Sequence, residues 1–333
     1  MTDRADLVIN GYGVTIRKKG NRFLIEHDGQ TYEYATNQIY QILVTGAASI
    51  SSAALQLAAE EGVDLVITSK GGDPSYRILP CHGSGIATVR RRQIVAAEQE
   101  AGYHLIARII TSKILHQGRL LAVLGRRRSD KDLIAEGERI VTIAHQIPST
   151  GNLSDEAEHI RGIEGEASHA YFTALGLVIN ASLYHGRRTQ HPALDPFNAA
   201  LNYGYGILYN EIEKACLLAG LDPYAGFLHA DRYGNKALVY DLIESYRQPV
   251  IDRIIITLAV KGLIEEGDID EKGWLTPDAK RRVVTAVISR LDDEREIKGK
   301  RISFRGYIKE DIHQVARYLA ESKPYTPLDW RWH

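Results

Sequence analysis

The sequence predicts an α+β protein, with a small β-rich N-terminal domain followed by a larger all-helical C-terminal domain. Three observations predict it. Residues 7–44 carry short alternating apolar runs, Pro80 to Gly85 interrupt every regular pattern, and beyond residue 90 nearly every segment has helical apolar spacing. At 333 residues the chain also exceeds the size at which one core usually keeps growing. The expected division is therefore 1–82, a linker over 83–89, and 90–333.

The first domain reads as strands over 7–10, 14–17, 23–26, 31–34 and 39–44, joined as successive hairpins. Gly20-Asn21 and Asp28-Gly29 stand where hairpin turns need residues that tolerate positive φ. Ser51 or Ser52 can cap a helix over 53–61, a further strand follows over 63–68, and Gly71-Gly72 with Asp73-Pro74 close the unit. Gly83-Ser84-Gly85 lacks the rest of either familiar phosphate-binding motif and is read as linker. Helices are expected over 91–116, 131–145, 154–180, 198–219, 237–262 with a break near Pro249, 277–291 and 308–321. The aromatic, proline-bearing tail over 324–333 is expected to be loosely held.

A formal net charge of -1 excludes recognition of a polyanion by bulk charge, so any nucleic-acid surface must be local. Candidate patches are Arg90 to Arg92, Arg126 to Arg128, Arg187 with Arg188, Lys280 to Arg282, and Lys298, Lys300, Arg301 and Arg305. Only Cys81 and Cys216 are present, which suits a reducing compartment and neither a thiolate zinc site nor a disulfide framework. The charged N-terminus and the lack of any apolar run near ~20 residues point to a cytoplasmic protein with no membrane partner.

Four residues resist a purely structural reading. Glu164 lies inside the apolar stripe Ile160, Ile163, Ala167, Tyr171 and Ala174, where a carboxylate must lose its charge, pair with a cation, or serve chemistry. Gly162 and Gly165 flank it and leave room for another group to approach. Asp241 and Glu244, spaced i,i+3, stand beside each other, which makes sense if a divalent cation or an arginine sits between them. His229 ends the run Gly226-Phe227-Leu228-His229 within a dozen residues of that acidic pair. Together they would form a carboxylate-rich site with one imidazole.

The same segments carry a family resemblance. Arg161-Gly162-Ile163-Glu164-Gly165, the run from Gly220 to His229, and Asp241-Leu242-Ile243-Glu244 resemble three metal-ligand motifs of the CRISPR-associated endonuclease and integrase family, the larger and universal adaptation subunit. Asp195-Pro196-Phe197-Asn198-Ala199, Asn202, Gly204-Tyr205 and Leu275-Thr276-Pro277 are similar to further parts of that family, in order along essentially the whole chain. Arg247-Gln248-Pro249 departs from it, since members often place Arg and Pro adjacently. The resemblance implies Glu164, His229 and Glu244 as ligands of Mg²⁺ or Mn²⁺, with Asp241 a neighbouring acid of the same catalytic site. It further implies double-stranded DNA partners (protospacer and CRISPR repeat), a homodimer formed through the β-rich domains, and a small second adaptation subunit.

The function expected from these residues is metal-dependent cutting of DNA and its insertion as new spacers into the CRISPR repeat array. Arg161, Arg187, Arg188 and Arg247 would position phosphates. Two rivals remain: a non-catalytic DNA-binding scaffold whose carboxylates pair with arginines, and a metal-dependent nuclease acting on branched DNA or RNA in repair.

Overall fold

The structure, a computed structural model, describes residues 5–10, 12–68, 74–78, 86–190, 192–229 and 235–332. The chain divides into two compact units, Met1–Ser84 and Gly85–His333. The expected turn at Gly71-Gly72 and Asp73, the Gly83-Ser84-Gly85 run and Cys81 lie outside the described residues.

In the first unit the strands are β1 (Ala5–Ile9), β2 (Val14–Lys19), β3 (Arg22–His27), β4 (Gln30–Ala35), β5 (Ile39–Val44), β6 (Ala48–Ile50), β7 (Asp64–Thr68) and β8 (Pro74–Ile78), with α1 (Ser52–Glu61) before β7. The expected hairpins form only twice, at β2-β3 and β3-β4. Gly20 adopts φ +59°, and Asp28 and Gly29 adopt +49° and +75° at the two turns. Elsewhere the succession of hairpins is replaced by parallel pairing. β1 lies beside β5 and β2 beside β6, giving two four-stranded sheets ordered β1-β5-β7-β8 and β4-β3-β2-β6. Alternation fixes which face of a strand is buried but not its neighbour, which explains the difference. Ile16, Phe23 and Ile25 of one sheet, Ile42 and Leu65 of the other, and Leu57 of α1 form the unit's core. Ser51 caps α1 by accepting from the Ala54 N–H.

The second unit is built from α2 (Ile86–Ala96), α3 (Glu100–Arg128), α4 (Lys131–Ala144), α5 (Leu153–Leu175), α6 (Pro196–Leu218), α7 (Ala237–Ile243), a π-helical stretch (Arg247–Asp252), α8 (Arg253–Val260), α9 (Pro277–Asp292) and α10 (Phe304–Glu321). It is mostly helical, as the periodicity predicts, with one addition: β9 (Glu294–Ile297) and β10 (Lys300–Ser303) form an antiparallel hairpin. Helix α2 begins at Ile86, inside the stretch read as linker. The single helix expected over 91–116 is instead two, because the chain turns after Ala96 and α3 then runs on to Arg128. Gly102 permits that turn, since a Cβ there would collide with the Ala96 carbonyl. Helices α3 and α4 touch backbone to backbone at Gly118 and Gly137, where an added Cβ would meet a facing carbonyl at 2.5 and 2.6 Å.

The tail expected to be loose is seated. Tyr325 and Leu328 are buried, the Ser112 hydroxyl donates to the Leu328 carbonyl at 2.6 Å, and the Trp330 N–H donates to His116 Nε2 at 2.8 Å. Its anchors are polar residues of α3 that carry no sequence signal of a partner 200 residues away. No helix among the described residues is long and apolar enough to cross a membrane.

Candidate metal centre

Helix α5 is capped by Asn152, which accepts from the Asp155 N–H, and buries Ile160, Ile163, Ala167 and Tyr171. Glu164 sits at the border of that face with its side chain 17% exposed. A Cβ on Gly162 or Gly165 would meet nothing within 4 Å, so the strip of α5 beside Glu164 is bare, as the glycines suggest.

The loop over 220–229 is held from three helices. Gln93 of α2, fully buried, donates to the carbonyls of Asp222 and Ala225 at 2.9 and 2.7 Å and accepts from the Asp222 N–H at 2.8 Å. Arg161 of α5 donates to the Leu228 carbonyl at 2.9 Å. Asp241 of α7 accepts from three consecutive backbone N–H groups, Phe227 at 2.6 Å, Leu228 at 3.2 Å and His229 at 3.1 Å. Gly226 is required by that clasp, because a Cβ there would lie 2.6 Å from the Ala237 Cβ and 3.1 Å from Asp241 Oδ2.

Asp241 also bonds His229 Nδ1 at 2.7 Å. With Nδ1 donating, His229 presents Nε2 as its lone-pair nitrogen, on a side chain 39% exposed. Burial works against the imidazolium, yet the Asp241 bond and charge, followed by Glu244 and Glu164, outweigh it and raise the imidazole above its ordinary range. His229, Glu244 and Glu164 therefore share one electrostatic neighbourhood although they come from a loop and two helices.

Glu244 follows α7 and is almost fully buried. Arg247 pairs with its Oε1 at 3.0 Å and Lys113 of α3 with its Oε2 at 2.7 Å. Burial alone would raise the Glu244 carboxyl, but Arg247 and then Lys113 hold it below the usual range. Lys113 is also bonded to Glu164. Asp241 and Glu244 have different protein partners. Asp241 is spent on the loop, and Glu244 faces Lys113 and Arg247.

Among the described residues, no three histidine, cysteine or acidic side chains stand close enough to hold a metal ion as they are placed. The Lys113 ammonium lies between two of the three expected ligands. The donor set still suits a hard divalent cation: two carboxylates and an imidazole, with the carboxylates already drawn together by one ammonium.

A second buried network supports Arg247. Its guanidinium stacks 4.6 Å over the Tyr205 ring, the Tyr205 hydroxyl donates to Asp252 at 2.5 Å, and Tyr171 donates to the same carboxylate at 2.9 Å. Burial raises the Asp252 carboxyl against those donors. Arg188 also lies over the Tyr205 ring, at 5.5 Å, and bonds Asn198 Oδ1 at 3.0 Å. Of the four arginines expected to hold phosphates, Arg187 and Arg161 are exposed, whereas Arg188 and Arg247 are half-buried in internal contacts. Arg90 to Arg92 and Arg126 to Arg128 are exposed, while Arg305 is buried between Glu211 and Asp292 and leaves its basic cluster.

Lys113 was not singled out by sequence. A signal existed: the buried stripe of α3 through Ile106, Ile109, Ile110, Leu120 and Leu121 is interrupted at helical spacing by Lys113, His116 and Gln117.

Comparison with known proteins agrees with this architecture. Residues 7–288 match the family model described as CRISPR associated protein Cas1. The chain is 31% identical to a protein of Archaeoglobus fulgidus named CRISPR-associated endonuclease Cas1 1, over 98% of this chain and 99% of that one. Among solved structures, a casposase bound to its integration product shares the fold with a TM-score of 0.77 at 23% identity, covering 99% of this chain and 93% of that one. A chain of a Cas6-RT-Cas1–Cas2 complex shares it with a TM-score of 0.76 at 22% identity, covering 100% of this chain and 37% of that one.

Proposed function

This chain belongs to the CRISPR-associated protein Cas1 family, and from that premise we propose that it cuts DNA and joins short foreign fragments into a CRISPR repeat as new spacers. The observation that carries the reading is the meeting of Glu164, Glu244 and His229, from three separated segments, in one electrostatic neighbourhood. The A. fulgidus relative is named an endonuclease, and the casposase neighbour was captured with an integration product.

In this reading Glu164, Glu244 and His229 Nε2 hold Mg²⁺ or Mn²⁺. When bound, the ion polarises the scissile phosphate and offsets the negative charge that builds during in-line displacement. Asp241 holds the imidazole by Nδ1 and leaves Nε2 as the nitrogen that would bind metal, and Arg161 and Gln93 keep the loop from relaxing. The nucleophile decides the product. A fragment's 3′-hydroxyl forms a new P–O bond as the repeat's own bond to phosphorus breaks, the freed 3′-oxygen taking up a proton; water in the same place yields a cut. Exposed Arg187, Arg90 to Arg92 and Arg126 to Arg128 contact phosphates without reading bases. The β-rich unit forms the homodimer contact, and a small second subunit of the kind named in the Cas1–Cas2 complex completes the assembly.

One observation favours a scaffold reading, in which the carboxylates serve only to pair with Lys113 and Arg247. Strand transfer of a labelled duplex into a repeat-bearing plasmid, with Mg²⁺, Mn²⁺ or EDTA, separates the two. The catalytic reading expects metal-dependent joining that falls by about 100-fold or more in Glu164→Ala and His229→Ala. Joining at the wild-type rate by either variant sinks it, and DNA binding indifferent to metal with no joining supports the scaffold. A branched-DNA and an RNA substrate in the same assay test the repair nuclease.

A further inference from the structure

Lys113 is a full positive charge placed by α3 among buried groups, and its surroundings define what it does. Its ammonium bonds Glu164 and lies 2.7 Å from Glu244 Oε2, while Arg247 takes Glu244 Oε1 at 3.0 Å. Both oxygens of Glu244 and one of Glu164 are therefore already bound to cations. Glu164 and Glu244 are balanced by one lysine and one arginine, so these four side chains carry no net charge between them.

A carboxylate pair already balanced by two cations is a poor host for a dication. A metal that takes one oxygen from Glu164 and one from Glu244 must displace Lys113 from Glu244 Oε2 or Arg247 from Oε1, and a buried cation stripped of its anions is costly. We infer that Lys113 is an intramolecular competitor for the metal: it holds Glu164 and Glu244 together in the metal-free protein and must release them for metal to bind, which raises the metal concentration at which the site fills. This rests on the metal reading proposed above and adds to it a positioning residue that sets the loading threshold. The competition follows from geometry. Lys113 comes from a third helix and can withdraw along its flexible stem, whereas Arg247 is fixed by its stack on Tyr205.

The test is direct binding of Mn²⁺ alone, followed by the electron paramagnetic resonance of the free ion, on the full chain at constant pH and salt. Lys113→Met is expected to bind Mn²⁺ about tenfold or more tightly than wild type, about 1.4 kcal/mol. It is also expected to melt at lower temperature in EDTA and to gain more from added Mn²⁺. Lys113→Arg keeps the charge and is expected to bind no more tightly than wild type. If Lys113→Met fails to fold, Lys113→Gln, whose amide still donates to one carboxylate, is expected to shift affinity in the same direction.

Binding that Glu164→Gln weakens but that neither Lys113→Met nor Lys113→Gln tightens overturns the competition and leaves the metal site intact. Weaker binding in those variants also overturns it, because the lysine would then be assisting the metal. No Mn²⁺ binding by wild type or any folded variant overturns both the competition and the metal reading beneath it.

Discussion

Asp241 spends both carboxylate oxygens on the loop that carries His229, so in the proposed metal site its loss would act through the imidazole. Asp241→Asn is expected to lower Mn²⁺ affinity by about 10–100-fold with the helical circular dichroism unchanged. His116 makes a second prediction at this scale. Burial and the Arg119 charge depress its imidazole to about 3, so the folded protein refuses a proton that the unfolded chain accepts near pH 6.5. A histidine of lowered pKa costs stability as pH falls, from about 6.5 down to the folded value, by about 1.4 kcal/mol per pH unit. Urea titrations at pH 7 and pH 5 are expected to show a smaller loss for His116→Gln than for wild type; equal losses contradict the assignment. Glu164 stood out in the sequence because it interrupts an apolar stripe, and His229 because it closes a turn a dozen residues before Asp241. The different duties of Asp241 and Glu244 were not legible, because i,i+3 spacing gives adjacency and says nothing of which neighbour each side chain meets.

Among the elements, glycines with similar sequence surroundings have opposite meanings. Gly118 touches the Gly137 carbonyl of α4 across the helix pair, so Gly118→Ala is expected to destabilise by about 1–3 kcal/mol through overpacking. Gly162 on α5 has open space where a Cβ would stand, so Gly162→Ala is expected to stabilise by up to about 1 kcal/mol. Thermal unfolding of the two variants checks the sign of each. The helices were legible from their apolar stripes, and the break near Pro249 appears as the π-helical stretch that turns Arg247 towards Glu244 and Tyr205. The hairpin of β9 and β10 was hidden because its two four-residue strands are mostly charged, with one isoleucine each, and β6 because three residues are too few to show a period.

For the molecule as a whole, a β-rich unit and a helical unit were readable from the change of period near residue 85, and the parallel strand pairings within the first unit were not. With a net charge of -1, DNA affinity must come from local arginines, so it is expected to fall steeply with salt, and less steeply in Arg126→Ala/Arg127→Ala/Arg128→Ala than in wild type. The proposed function requires Glu164, His229 and Glu244 to converge on one cation. Crystals of the protein grown with Mn²⁺ and measured at the manganese absorption edge test it most directly. One anomalous peak is expected at about 2 Å from carboxylate oxygens of Glu164 and Glu244 and from His229 Nε2. A map with no peak there, and Lys113 still bridging the two carboxylates at saturating Mn²⁺, would contradict it.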